Sequence, residues 1–139
     1  MYNTLAAGIY SLLDQSTYLP KPNYWAALLW SKLMGTEVYE AGKGEPGVYL
    51  FAHNTKNTNN SLTLLVINTN EKEIELNLSE NAKQFTLTSD KLEGTEVFLN
   101  GNKLAITEAD ELPEIIGKDV KKGIVKIPAY SLSFFTLPK

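Results

Sequence analysis

The sequence contains no cysteine and no arginine. The first absence removes disulfides and thiolate metal sites. It leaves the redox compartment open, because many secreted chains also lack cysteine. The second removes the bidentate guanidinium fork, so any phosphate or sulfate would have to be met by the thirteen lysines alone. With a formal net charge of -3, nucleic acid is not an expected partner. Histidine occurs once, at His53, and zinc binding or Ser-His and Cys-His catalysis needs further partners. No apolar run is long enough to cross a bilayer, so no transmembrane segment is expected. The stretch GKGEPG lacks the Gly-Lys-Ser/Thr ending of a phosphate loop. No cofactor and no metal is expected from these residues. The opening MYNTLAAGIYSLLDQ has no basic n-region of the kind a signal peptide carries. Either a cytoplasmic chain or one whose true N-terminus lies upstream reads this way, and the second is the expectation.

What is present suits one compact domain. The chain has 139 residues, 43% of them hydrophobic and 21% charged, enough to bury a core without staples. Leu5–Leu13 is a short apolar stretch that fits a buried strand or a helix fragment, and periodicity does not decide between them. Asp14–Pro22, with two prolines, reads as a connection. Asn23 is the expected N-cap of the one clear helix, with Trp25, Leu28, Leu29 and Leu33 on one face and Gly35 as the residue that ends it. Ala26, Ala27, Trp30 and Met34 make the other faces unusually apolar, so this helix wants cover on more than one side.

After Gly35 the pattern changes to two-residue alternation. Expected strands are Thr36–Glu40, Val48–Asn54, Leu62–Thr69, residues 74–78, Lys83–Ser89, Thr95–Leu99 and Ser131–Leu137. Asn100-Gly101 is a hairpin signal for a type I′ turn, with Lys103–Thr107 returning; Asn102 leaves a three-residue loop open. Seven or eight short strands at this spacing indicate a mainly β chain, an antiparallel β-sandwich. The residues before Gly35 are too few to fold alone, yet hold both tryptophans.

Several polar groups could carry chemistry. Glu37 and Glu40, or Glu71, Glu73 and Glu75, could supply paired carboxylates, but glutamates alternating along a strand are the ordinary solvated face. Glu108, Asp110, Glu111 and Glu114 form an acidic run without calcium-loop spacing. Tyr24, Trp25 and Trp30 fit either a sugar-stacking platform or packing, and packing is the expectation. Asn59 and Asn77 lie in N-x-S sequons. Lys118, Lys121 and Lys122, interrupted by Asp119, read as a solvated loop.

PNYWAALLWSKLMGTEVY resembles the last barrel helix of heparanases and its passage into the C-terminal β-domain. AAGIYSLLD resembles the last barrel strand of that family. SLTLLVINTN, VFLNGNKLAI, DELPEI and IPAYSLSFFTLPK are similar to later strands and loops in the same order. The resemblance implies a C-terminal domain of a clan-A-type glycosidase. Residues 1–34 would end a (β/α)8 barrel with its last strand and helix, and residues 35–139 would form the β-sandwich. The implied chemistry is retaining hydrolysis of a β-glucuronide by two glutamates about 5 Å apart. Both lie upstream in the family, so no catalytic residue is expected in this chain. One binding element carries over, a Gly-x-Tyr at the end of the last barrel strand. It matches Gly8 and Tyr10 with Ile9 between them, where the family commonly has a polar residue. A phenol O–H is a suitable donor to a glucuronate carboxylate. The bland alternative is that Tyr10 is a core aromatic. Implied partners are a glucuronate-containing glycan such as heparan sulfate, met through the complete enzyme, and the N-terminal barrel region of the same protein. In the family a strand from the chain's beginning also completes the sandwich. The implied location is extracellular or lysosomal. Two other readings stand beside this one: a free-standing β-sandwich that binds carbohydrate or protein, and a related retaining glycosidase of other sugar specificity.

Overall fold

The computed structural model describes residues 5, 6, 8, 10–58 and 60–138; Ile9 and Asn59 lie outside the described residues. It is mainly antiparallel β-structure with one helix. The elements are α1 (Pro22–Leu33), β1 (Met34–Tyr39), β2 (Val48–Thr55), β3 (Ser61–Asn68), β4 (Ile74–Leu78) and β5 (Ala82–Thr88). They continue with β6 (Phe98–Leu99), β7 (Asn102–Lys103), β8 (Lys118–Val120), β9 (Gly123–Ile127) and β10 (Ser131–Pro138). The main sheet runs β1-β2-β3-β10-β5-β6-β7, with β8 also paired to β5, while β4 and β9 form a separate two-stranded ribbon.

Alternation along the central strands explains the layering. Leu65 and Phe134 face a core shared with Trp25 and Leu29 of α1. Their chain neighbours Val66 and Phe135 face a second core shared with Leu78 and Ile127 of the ribbon. Successive side chains on a strand point to opposite faces, so helix and ribbon cover opposite faces of the main sheet. The second layer of the expected sandwich is therefore this ribbon alone among the described residues. β8 and β9 were not expected as strands, and Lys118 belongs to β8 rather than to a solvated loop.

The helix boundaries differ from expectation at both ends. Pro22 occupies the first turn, where its missing N–H costs nothing, and Lys21 is the N-cap. Asn23 is inside the helix, and its side-chain amide donates to the Ser11 carbonyl (3.3 Å). Gly35 lies in β1 and does not end the helix. A Cβ there would collide with the Asn54 side chain, whose oxygen accepts the Glu37 N–H (2.9 Å) at a break in the β1–β2 register. The glycine thus serves close approach, not a left-handed cap. The last helical carbonyls find partners on the sheet. Lys56 Nζ donates to Ser31 (2.6 Å), and the Lys56 N–H and Thr63 Oγ1 both donate to Leu33 (3.0 Å each).

The Asn100-Gly101 signal forms a two-residue hairpin. Leu99 pairs with Asn102, and both turn residues have positive φ, 50° and 87°. The strands on either side are only two residues long, so neither Thr95–Leu99 nor Lys103–Thr107 is a full strand. Asn100 also ties this turn to β5. Its side-chain oxygen accepts the Thr86 N–H (2.9 Å) and its amide donates to the Gln84 carbonyl (3.0 Å). It thereby stands in for a strand along β5 between the ends of β6 and β8. Asn100→Gly keeps the turn and removes both bonds, so it isolates the amide's contribution. It is expected to destabilise the fold by about 1–3 kcal/mol, read as a lowered urea midpoint with an unchanged slope.

Candidate functional site

The described residues before α1 form a looped segment, not a strand. Among the described ones the only ladder contact is an isolated bridge between Leu13 and Pro20. Asp14 organises the loop: its Oδ1 accepts the N–H groups of Ser16 and Thr17 (2.9 Å each) and the Thr17 hydroxyl (3.0 Å). These donors stabilise the charged carboxylate and hold its pKa below the ordinary aspartate value, the backbone N–H of Thr17 contributing most. Buried Ser11 ties the segment to the helix. Its hydroxyl donates to the Leu13 carbonyl (2.6 Å) and receives Lys21 Nζ (3.1 Å), and its carbonyl receives Asn23.

Gly8 and Tyr10 sit three residues or fewer ahead of that anchor. Gly8 has φ +99°, a conformation that L side chains rarely adopt, and its carbonyl accepts the Ser11 N–H (3.2 Å). Tyr10 is 83% exposed, so its ring projects from the turn into solvent and contributes nothing to either core. The geometry presents a phenol beside a glycine that crowds no neighbour within 4 Å. Such a group can donate to an anionic oxygen brought to it.

The other candidate groups are dispersed. Glu37 accepts from the Tyr39 hydroxyl (2.7 Å), and Glu73 pairs with Lys126 (2.7 Å). Only Glu75 of the 71–75 trio lies within β4, so the three do not share one strand face. Glu71 bonds the Tyr130 phenol, whose pKa is raised by lost solvation first and by this neighbour second. Lys126 is raised chiefly by its hydrogen bond to Glu73. Asp119 pairs with Lys83 (3.0 Å). Glu108, Asp110, Glu111 and Glu114 are all exposed, and among the described residues no three His, Asp or Glu side chains converge as a metal site would require.

The aromatic residues divide. Trp25 is buried, with Tyr24 edge-on at 5.4 Å, and serves packing. Trp30 stays 39% exposed and meets Phe51 (6.3 Å) and His53 (5.2 Å) edge-on. His53, which the sequence left without local partners, is in fact oriented. Its Nδ1 lies 2.8 Å from the Gly35 carbonyl, so Nδ1 carries the proton. Sequence reasoning missed this grouping because it depends on which strand passes under the helix.

Baicalin-beta-D-glucuronidase of Scutellaria baicalensis is 34% identical over 146 residues, covering 97% of this chain and 27% of that protein. Heparanase of Bos taurus is 32% identical over 148 residues, covering 94% of this chain and 27% of that protein. The chain is a distant homologue of the heparanase and β-glucuronidase family. It spans about a quarter of the length of these relatives. No protein-family model matches it. Among solved structures, the glycoside hydrolase family 30 subfamily 8 xylanase Xyn30A of Clostridium acetobutylicum superposes with a TM-score of 0.61 at 15% identity. That match covers 97% of this chain and 32% of the xylanase, and it bears on fold alone. The heparanase homology thus extends over both the looped segment with Gly8 and Tyr10 and the β-structure behind it.

Proposed function

We propose that this chain is the C-terminal portion of a heparanase-like retaining glycoside hydrolase that cleaves β-glucuronide linkages in glycans. In this reading residues 1–34 belong to the end of a (β/α)8 barrel, and residues 35–139 form a β-sandwich that supports it. The observation that carries the reading is the near-complete coverage of the chain by homology to a β-glucuronidase of which it spans only 27%. Paired catalytic acids then lie on barrel strands outside the chain, and the chain contributes a scaffold and one substrate contact. The open edges of β4 and β9 fit a sandwich whose second sheet takes a further strand from elsewhere in the protein. The glycan partner and an extracellular or lysosomal location follow from the same reading.

Gly8 and Tyr10 are the proposed contact. The left-handed glycine turns the backbone so that Tyr10 leaves the core, and the phenol donates to the glucuronate carboxylate. A hydrogen bond to a charged group contributes about 1.5–3 kcal/mol. Tyr10→Phe in the complete protein is therefore expected to lower kcat/KM on a β-glucuronide by roughly 10- to 100-fold. Activity on the matching β-glucoside, which has no carboxylate, should hardly change. Equal losses on both sugars would remove Tyr10 from carboxylate recognition. A complete protein that prefers the uncharged glycoside would instead indicate a related glycosidase of other specificity.

A further inference from the structure

The two flanks of α1 are treated differently by the rest of the chain. Trp25 and Leu29 point down into the core beneath the helix. On one flank the chain supplies its own cover. Ile115 packs on that core, and Gly117 crosses so close to the Phe85 ring that a Cβ would collide with it. On the other flank Pro22, Ala26 and Trp30 recur at four-residue spacing, which puts them on one helix face. That face looks onto sheet positions that stay partly exposed. Tyr49 is 53% exposed, Phe51 42% and Val38 72%.

Register shows that these residues form one strip. Tyr49 pairs with Ile67 and Phe51 with Leu65, both on the helix side of the sheet. Val38 pairs with His53, whose ring touches Trp30. Beyond Ala26 the strip runs into a groove of about 410 Å³ between Pro22, Ile67, Leu132 and Val97, rimmed by Leu92. Two partly exposed strands, at about 4.8 Å each, make a trough roughly 10 Å wide. A helix with its side chains is about 10–12 Å across, and packed helices lie about 8–10 Å apart. The side chains that make the strip, Val38, Tyr49, Phe51 and Trp30, are uncharged, while Lys43 and Glu45 line a concavity together with Tyr49 and Phe51.

We infer that the trough beside α1 seats the apolar face of a second helix, supplied by the part of the same protein that the longer relatives possess and this chain does not span. This rests on the proposed membership of a larger glycosidase, since that membership makes such a segment available: the relatives are covered over only 27% of their length. The inference adds which face docks and what shape of element fits it. The second helix lies beside α1 on the sheet, and the ribbon face takes no part.

Hydroxyl-radical footprinting of the 139-residue chain and of the complete gene product tests this. Labelling of Trp30, Tyr49 and Phe51 is expected to fall roughly tenfold in the complete protein, the drop from half-exposed to core-like. Ile124, exposed on the outer face of the ribbon, should label equally in both. A second variant guards against misfolding: Tyr49→Glu should leave the melting temperature of the 139-residue chain unchanged and lower that of the complete protein. Equal labelling in the two proteins overturns the inference. So does protection already present in the 139-residue chain with dimerisation, which would make a second copy the occupant. Glucuronidase activity without protection sinks the docking face alone, and protection without glucuronidase activity sinks the enzymatic reading alone.

Discussion

Phe135→Ala is expected to destabilise the fold by about 3–5 kcal/mol, and Phe134→Ala by a similar amount. The two residues are neighbours on β10, the strand held between β3 and β5. Both are fully buried, yet they serve different cores: Phe134 lies under α1, and Phe135 lies under the ribbon with Val66 and Ile127. Losses of this size consume a large part of the roughly 5–15 kcal/mol that holds a typical domain together. The two variants should fail differently. Phe134→Ala loosens the layer that holds Trp25, so tryptophan fluorescence should shift before the urea midpoint. Phe135→Ala loosens the ribbon, so the amides of β9 should exchange faster while Trp25 stays buried. Losses below about 1 kcal/mol in both would contradict the two-core description.

The second large effect is expected at Asn68. This buried amide donates to the carbonyls of Lys72 and Pro128 (2.9 Å each), with a longer contact to Ile127 (3.4 Å). Its oxygen accepts the Asn70 N–H (3.1 Å). Lys72 precedes β4, and Pro128 follows β9, so one side chain fastens both strands of the ribbon, at their shared end, to the end of β3. Asn68→Asp replaces the donor by an oxygen that faces only carbonyls. The cost is about 3–5 kcal/mol at neutral pH, as for an uncompensated buried charge. The pH dependence has a definite sign. Burial among acceptors raises the folded-state pKa of the introduced carboxyl above its unfolded value of about 3.9. The folded state then binds more protons, so stability relative to the parent falls as pH rises between those values. Urea midpoints measured against the parent should therefore show a smaller deficit near pH 4 than near pH 8. Asn68→Leu, which cannot titrate, should show a deficit that does not vary in this way.

Legibility of the fold in the sequence followed locality. Val48–Asn54, Leu62–Thr69 and Ser131–Leu137 alternate or run apolar over a full strand length, and each was found within a residue or so of its observed bounds. The Asn-Gly turn was readable because positive φ at two successive positions leaves few residue choices. Three features were not readable. Alternation marked β4 as a strand, but its exit from the main sheet to pair with β9 depends on residues about fifty positions away. Gly35 carries the same letter whether it ends a helix or admits the Asn54 side chain. Asn100 ties the turn to β5 through its side-chain amide, which no period reveals.

The candidate site was legible only through family likeness. Composition alone would have put Tyr10 in a core, whereas its ring is exposed. The trough beside α1 was foreshadowed by the all-round apolar helix, which wanted cover on more than one side. Which flank stayed open depended on Ile115 and Gly117 returning to the other one.

Hydrolysis of a chromogenic β-glucuronide, followed side by side for the purified 139 residues and for the complete gene product, is the most direct measurement. Release of chromophore by the complete protein, with none above background from the 139 residues at equal molarity, is the expected result. Enzyme-like turnover by the 139 residues alone would contradict the claim that the acids which break the bond lie elsewhere.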